Sequence, residues 1–131
     1  MTPTADSGLR VLVVEDDTDT AESLRQLLVL YGHAAEVARD GPAALDLAGR
    51  FRPDVVLLDI GLAGGMDGLE VARRLGACPD GKAPLLVAVT GRDQPEDRRR
   101  SELAGIHLHL VKPADPELLR SLLARFREVT G

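Results

Sequence analysis

Short apolar runs alternate along the chain with segments in which apolar residues recur at helical spacing. The runs predict strands at Arg10–Val14, Ala34–Ala38, Asp54–Leu58, Leu85–Val89 and His107–Val111. Continuous apolar runs are typical of strands that are covered on both faces of a parallel sheet. The second run holds fewer large apolar residues, so we predict that its strand lies at an edge of the sheet. Strands that alternate with helices in this way indicate an α/β fold built from βαβ units.

The first two helices are predicted from apolar spacing and from residues that favour helix ends. The first helix has four residues at helical spacing: Leu24, Leu27, Leu28 and Tyr31. We expect Thr18 or Asp19 to cap this helix and Gly32 to end it. The second helix is predicted to begin near Pro42, a residue type favoured in the first turn. It is predicted to bury Leu45 and Ala48.

Three further helices complete the predicted alternation. The third covers roughly Gly68–Leu75, and the fourth, near Pro95–Ala104, has few apolar residues. One side of the third helix holds Leu69, Ala72 and Leu75. Asp115 as cap and Pro116 at the first position predict the start of the fifth helix. This helix is predicted to bury five residues: Leu118, Leu119, Leu122, Leu123 and Phe126.

Side chains able to bind a metal ion or a phosphoryl group follow four of the apolar runs. Glu15 and Asp16 come directly after the first run, and Asp59 follows the third. Thr90 follows the fourth run, and Lys112 follows the fifth. Because the carboxyl ends of parallel strands share one edge of the sheet, where ligands bind, we predict that these residues converge. Taken singly, each is also compatible with a turn, a helix cap or a solvated strand end.

The chemistry of these residues predicts a phosphorylation site that uses a divalent cation. Carboxylates that share one cleft repel one another and raise each other's pKa, and a divalent cation relieves this repulsion. An all-oxygen site with room for several waters suits Mg²⁺, with Mn²⁺ as an alternative. An aspartate can attack a phosphoryl group, so Asp59 is the predicted acceptor. Lys112 and Thr90 would offer an ammonium and a hydroxyl to the phosphoryl oxygens.

The length, charge and cysteine content of the chain exclude several classes of function. A chain of 131 residues with 44% hydrophobic and 28% charged residues is typical of one globular domain. A net charge of -5 argues against direct nucleic-acid binding, which usually needs a basic excess. Cys78 is the only cysteine, so an internal disulfide and a cysteine-cluster zinc site are excluded.

The ends of the chain and its longest apolar stretches predict a single domain in the cytoplasm. We interpret residues 1–8 as a flexible polar tail and residues 9–131 as the domain. No apolar stretch approaches the ~20 residues that a membrane span needs, so no membrane partner is expected. The first residues lack a basic start followed by an apolar core, and a secretory signal is therefore not expected.

The chain contains, in this order, the segments VLVVEDD, PDVVLLDIGL followed by MDGLEVARRL, LLVAVTG and HLHLVKP. Together these segments resemble the receiver domain of two-component response regulators, across about residues 9–128. The resemblance implies a (βα)5 flavodoxin-like fold with strand order 2-1-3-4-5. It implies that Asp59 accepts a phosphoryl group from a histidine kinase or a phosphotransfer protein. It also implies a module that catalyses only its own phosphorylation and dephosphorylation.

The resemblance also assigns roles to individual residues. Three groups would hold Mg²⁺: Asp16, Asp59 and the backbone carbonyl of Gly61. Glu15 would act on the ion mostly through water, while Thr90 and Lys112 would contact the phosphoryl oxygens. The peptide bond before Pro113 would be cis, a form that costs little only before proline. Phosphorylation would then change the face formed by helix 4, strand 5 and helix 5, where an unknown downstream protein binds.

The chain departs from the pattern of this family at three places. His109 stands three residues before Lys112, where many relatives carry Tyr or Phe, so it is either a switch-position residue or an ordinary surface strand residue. The loop after Asp59 is glycine-rich and longer by one residue, and relatives usually have a proline near Ala63. Gly91 follows the predicted hydroxyl residue where alanine is commoner, which keeps a small residue beside the site.

Two other functions remain open from the sequence. The domain could be a pseudo-receiver, which is an interaction module that is not phosphorylated. It could also be a phosphatase of the haloacid-dehalogenase type, because Asp17-Thr18-Asp19-Thr20 superficially resembles the start of that family's motif. The threonine stands one residue too early for that motif, and the chain shows no cap domain or second acidic loop.

Overall fold

Strands and helices alternate along the chain, as predicted. The computed structural model describes residues 8–60, 68–77, 83–91, 95–112 and 114–130; for Thr90, 95–98 and 129–130 it describes the backbone alone. This part of the chain forms the strands β1 (Arg10–Val14), β2 (Ala34–Ala38), β3 (Val55–Asp59), β4 (Leu85–Thr90) and β5 (Leu108–Val111). Between and after them lie the helices α1 (Thr18–Leu30), α2 (Gly41–Phe51), α3 (Gly68–Gly76), α4 (Pro95–Leu103) and α5 (Pro116–Thr130).

The strands form one parallel sheet with the order β2-β1-β3-β4-β5. This order confirms the predicted flavodoxin-like fold and the predicted edge position of β2. The third strand lies at the centre, between β1 and β4. Because all strands run in the same direction, the residues that follow them meet at one edge of the sheet.

Two strands begin one residue later than predicted, and in each case the residue before the strand uses its side chain as a hydrogen-bond acceptor in addition to its backbone groups. Asp54 Oδ2 accepts a hydrogen bond from the backbone N–H of Arg10 at 2.8 Å, and β3 begins at the next residue. His107 Nδ1 accepts from the backbone N–H of Leu86 at 3.0 Å, and β5 again begins one residue later.

Apolar side chains cover both faces of the sheet, in alternation along each strand. One buried cluster contains Leu12, Val14, Val56 and Leu58 together with residues of α2 and α3. The other contains Val11, Val13, Val55 and Leu57 together with residues of α1 and α5. The continuous apolar runs of the sequence therefore have the cause that we inferred, since β1, β3 and β4 are covered on both faces.

Asp17 caps the first helix, so the expectation of Thr18 or Asp19 at this position is wrong. Its carboxylate accepts a hydrogen bond from the backbone N–H of Thr20 at 2.9 Å. A capping residue has extended rather than helical dihedral angles, and Asp17 is the residue with an extended backbone (φ -81°, ψ 118°). The helix ends at Leu30, and Gly32 follows with a φ of 94°.

The buried side of α5 is narrower than predicted. Leu119 and Leu123 are fully buried, and Leu122 and Phe126 are partly buried. Leu118 is 52% exposed, so its predicted burial is wrong. Neighbouring residues on a helix point in different directions, and only the stripe that faces the sheet is covered.

Helices α2 and α3 follow their predicted apolar patterns with one difference. In α2 the buried residues are Gly41 and Ala44, while Leu45 and Ala48 are only partly buried. In α3 all three predicted residues, Leu69, Ala72 and Leu75, are buried. None of the helices in the described ranges is both long enough and apolar enough to cross a lipid bilayer.

His33 lies in the interior at the end of the sheet opposite to the strand tips. It precedes β2, and its Nδ1 accepts a hydrogen bond from the backbone N–H of Leu9 at 3.0 Å. Burial of the ring lowers the pKa of His33 below its usual 6.5, and the positive charge of Arg127 lowers this pKa further. The neutral ring is therefore the form that the fold stabilises.

We predict that acidification below about pH 6.5 destabilises the protein through His33. The pKa of this group is lower in the folded state, so the unfolded chain binds the proton more readily. The contribution is complete above the unfolded pKa and is lost as the pH falls towards the folded value. In a His33→Asn variant the amide oxygen can accept the same hydrogen bond but does not titrate. Urea unfolding between pH 7.5 and 5 should show a smaller loss of stability in this variant, and equal slopes would contradict the prediction.

Candidate functional site

Three carboxylates meet at the edge of the sheet where the strands end. Glu15 and Asp16 follow β1, and Asp59 is the last residue of β3, one position beyond the predicted end of that strand. Each offers an oxygen atom, and these oxygen atoms lie within 4.8 Å of one another. Glu15 and Asp59 are buried, whereas Asp16 is partly exposed. The predicted convergence of the acidic residues is therefore present in the structure.

Lys112, the residue after β5, joins this cluster and forms ion pairs with two of its carboxylates. The ammonium Nζ lies 2.9 Å from Glu15 Oε1 and 3.1 Å from Asp59 Oδ2. The contact with Asp59 is a hydrogen bond in which the lysine donates. Three carboxylates and one ammonium leave a net charge of -2 when all are ionised. The cluster therefore has negative charge left for a further cation.

Glu15 is held by hydrogen bonds with the backbone of Ala38 and Asp17 as well as by Lys112. Its backbone N–H donates to the carbonyl of Ala38 at 3.0 Å, which continues the pairing of β1 with β2. Its Oε2 accepts from the backbone N–H of Asp17 at 3.2 Å. The direct ion pair between Glu15 and Lys112 was not predicted from the sequence; the family resemblance implied only that Glu15 acts on the cation, mostly through water.

Burial and charge act in opposite directions on the pKa values of the cluster. Burial raises the pKa of Glu15, and the nearby charge of Asp59 adds to this, while the hydrogen bond from Lys112 lowers it. Burial acts to lower the pKa of Lys112, but its hydrogen bonds to Glu15 and Asp59 outweigh burial and raise it. A cation bound to the carboxylates would favour the ionised form of Glu15.

For three other predicted site residues, the structure describes the backbone of Thr90 only. The backbone of Thr90 ends β4, directly after Val89, which is the register partner of Asp59. Thr90 therefore lies at the same edge, although its side chain is outside the described residues. Gly61 and Pro113 also lie outside them, so the carbonyl ligand and the cis peptide stay predictions.

His109 lies inside β5, away from the strand tips. Its register partner is Ala88, two residues before Thr90. The residue is half-buried, and both of its ring nitrogens are shielded from solvent. This placement is neither that of an exposed strand residue nor that of a member of the charged cluster.

A cavity opens beside the charged cluster, between α1 and the start of α5. Its volume is about 560 Å³. Lys112 lines it together with Leu24 and Leu27 of α1, Val89 of β4 and Pro116 of α5. The ammonium therefore stands between the carboxylates on one side and a mostly apolar cavity on the other.

A family model described as the response regulator receiver domain matches residues 11–124. The response regulator MprA of Mycobacterium sp. (strain KMS) is 44% identical over 119 residues, which cover 91% of this chain and 49% of that protein. The response regulator MprA of Mycolicibacterium vanbaalenii is 43% identical over 123 residues, which cover 93% of this chain and 52% of that protein. The chain thus spans about half the length of these curated relatives.

Solved structures of similar fold come from several organisms. The chemotaxis protein CheY4 of Vibrio cholerae has a TM-score of 0.84 and 28% identity, over 91% of this chain and 98% of that chain. The signal receiver domain of a DNA-binding response regulator from Colwellia psychrerythraea 34H also has a TM-score of 0.84 and 28% identity, over 92% of this chain and 98% of that chain.

Proposed function

Because this chain belongs to the family of response regulator receiver domains, we propose that Asp59 is its phosphoryl acceptor and that a divalent cation assists the transfer. Receiver domains are signalling modules of two-component systems, and their partners are histidine kinases or phosphotransfer proteins. The observation that carries the proposal is the cluster of Glu15, Asp16 and Asp59 with Lys112 bound to two of its members.

The donor set fits Mg²⁺, with Mn²⁺ as a second candidate. All of its side-chain donors are carboxylate oxygens, the ligands that hard divalent cations take. Asp16, Asp59 and Glu15 would hold the ion, the last of them directly or through water, and the carbonyl of Gly61 would complete the set. When bound, the ion neutralises charge on the phosphoryl group during transfer.

In the proposed reaction an Asp59 carboxylate oxygen attacks the phosphorus atom of a phosphohistidine. The new P–O bond forms as the P–N bond breaks, and the imidazole nitrogen keeps the electron pair of the broken bond. The product is an aspartyl phosphate and a free histidine on the donor. Lys112 Nζ lies 3.1 Å from Asp59 Oδ2, so it is close enough to donate a hydrogen bond to an oxygen of the transferred phosphoryl group.

Phosphorylation would bias a two-state equilibrium of the domain. Lys112 exchanges a carboxylate partner for a phosphoryl oxygen, and the Thr90 hydroxyl donates to another. Hydrogen bonds to charged groups contribute about 1.5–3 kcal/mol each, and a shift from 1:99 to 99:1 needs about 5.5 kcal/mol. The exchange by Lys112 adds only the difference between its two partners, so these contacts supply a bias of a few kcal/mol rather than a complete reversal of the populations.

We place the binding site of the downstream protein on the face formed by α4, β5 and α5. Exposed apolar side chains of this face support the assignment: Leu103, Leu108, Val111 and Leu118. A groove of about 960 Å³ runs between β5 and α5, lined by Leu108, Leu118 and Phe126 among others. Exposed apolar patches on monomers are typical of protein interaction sites.

Incubation with acetyl phosphate and Mg²⁺, followed by intact mass measurement, tests the proposed function. We expect the mass to increase by that of a single phosphoryl group, and we expect EDTA to prevent the increase. A pseudo-receiver would bind no Mg²⁺ and keep its original mass. A phosphatase of the haloacid-dehalogenase type would hydrolyse p-nitrophenyl phosphate over many turnovers, whereas a receiver modifies only itself.

A further inference from the structure

Gly68, the first residue of α3, lies against the backbone that follows the proposed acceptor. A Cβ atom at this position would stand 2.4 Å from Ile60 Cα and 2.7 Å from the carbonyl oxygen of Asp59. Contacts between a real Cβ and backbone atoms do not occur at such distances. The absence of a side chain at Gly68 is therefore what allows α3 to start beside Asp59.

The helix side of this contact is held more firmly than the end of the strand. The helix is anchored to the sheet by four buried residues: Leu69, Val71, Ala72 and Leu75. On the other side, β3 is the central strand, paired with β1 up to Leu58 and with β4 up to Asp59. Ile60 is the first residue beyond this ladder, so the end of β3 is the part with the fewest restraints. A side chain at Gly68 would therefore displace Asp59 and Ile60 rather than the helix.

We propose that Gly68 is a positioning residue for phosphorylation, which fixes the Asp59 carboxylate relative to Glu15, Asp16 and Lys112. Resting on the function proposed above, it adds a residue that touches neither the phosphoryl group nor the cation. Catalytic rates depend steeply on such placement, because a displacement of about 1 Å costs on the order of 10²-fold. The same contact also holds the backbone of Ile60, the residue that directly follows Asp59.

The test compares Gly68→Ala with two matched alanine substitutions. In Gly76→Ala and Gly49→Ala the added Cβ has no atom within 4 Å, and the first of these lies at the other end of the same helix. All three proteins are assayed with acetyl phosphate and saturating Mg²⁺, well below their unfolding temperatures. We expect the rate to fall on the order of 10²-fold in Gly68→Ala and to stay within about twofold of wild type in the controls.

A second readout separates positioning from stability. A crystal structure of Gly68→Ala should show a longer distance between Lys112 Nζ and Asp59 Oδ2 than the present 3.1 Å. A variant with a lower melting temperature but a native phosphorylation rate and a native distance would overturn the proposal. If neither wild type nor the controls take up a phosphoryl group, the proposed function fails, and the crystallographic distance still decides the positioning role.

A stabilised background keeps the experiment informative if Gly68→Ala alone unfolds. Arg52 is the only non-glycine residue with a positive φ (53°) among the described residues, so Arg52→Gly relieves backbone strain at the end of α2. The double variant Arg52→Gly/Gly68→Ala is then compared with Arg52→Gly. Failure of the double variant to fold would show that Gly68 has a purely structural role, which contradicts the proposal.

Discussion

Asp59→Asn is expected to abolish phosphorylation by acetyl phosphate while the domain remains folded. The amide lacks the anionic oxygen that attacks phosphorus, but it has almost the same shape and its carbonyl oxygen can accept a hydrogen bond from Lys112. Removal of one charge also lessens the repulsion with Glu15 and Asp16. The melting temperature should therefore equal or exceed that of wild type. Intact mass measurement and thermal unfolding check the two halves of this prediction.

Asp46→Asn serves as the matched control for that variant. Asp46 lies on the exposed side of α2, where it pairs with Arg50, and the same chemical change there should leave phosphorylation intact. A phosphoryl group still found in Asp59→Asn would identify another acceptor. Peptide mapping of the modified protein would then show which carboxylate it is.

Lys112→Ala is expected to separate Mg²⁺ binding from signalling. The variant removes the cation that now pairs with Glu15 and Asp59, so added Mg²⁺ no longer competes with it for these carboxylates. A hydrogen bond between charged groups contributes about 1.5–3 kcal/mol, and about 1.4 kcal/mol is a tenfold change in affinity. We therefore expect Mg²⁺ to bind roughly tenfold more tightly, as measured by calorimetry.

The same variant should lose stability in the absence of divalent ions. Glu15 is buried, and the substitution removes the ion pair at its Oε1, where an unsatisfied buried group costs about 1–3 kcal/mol. Mg²⁺ should restore this loss, so the increase in melting temperature with Mg²⁺ should be larger in Lys112→Ala than in wild type. Equal increases in the two proteins would show that the lysine does not compensate the carboxylates.

Phosphorylated Lys112→Ala is expected to bind its downstream partner no better than the unphosphorylated protein. Without the ammonium, the phosphoryl oxygens lack the group that connects them to β5. Lys112→Arg keeps the charge but changes its geometry, and it should show an intermediate response. If phosphorylated Lys112→Ala and phosphorylated wild type bind the partner equally, Lys112 has no part in the switch.

Much of the fold could be predicted because the spacing of apolar residues within each segment reflects which of its side chains are buried. The runs at Val11–Val14 and Val55–Leu58 are continuous since each strand is covered on two faces, and β2, with smaller residues, lies at an edge as expected. The predicted ends of helices and strands were wrong where a side chain takes part in the hydrogen bonding at the end of the element. The Asp17 side chain caps α1, and the Asp54 side chain accepts the hydrogen bond from the backbone N–H of Arg10 just before β3 begins.

The acidic site could be predicted because parallel strands bring their ends to one edge whatever the intervening chain contains. That rule alone placed Glu15, Asp16, Asp59 and Lys112 together. The rule gives no distances between side chains, so it could not predict the direct ion pair between Lys112 and Glu15.

The sequence alone determines which residues lie at the ends of the strands, since the composition of a strand and the identity of its last residue are local properties. Which tips touch, and how closely, depends on packing between distant segments. The ammonium of Lys112 pairs with two particular carboxylates because the sheet has one particular order. Gly68 has its significance only because α3 packs onto the end of β3, where there is no space for a single carbon atom.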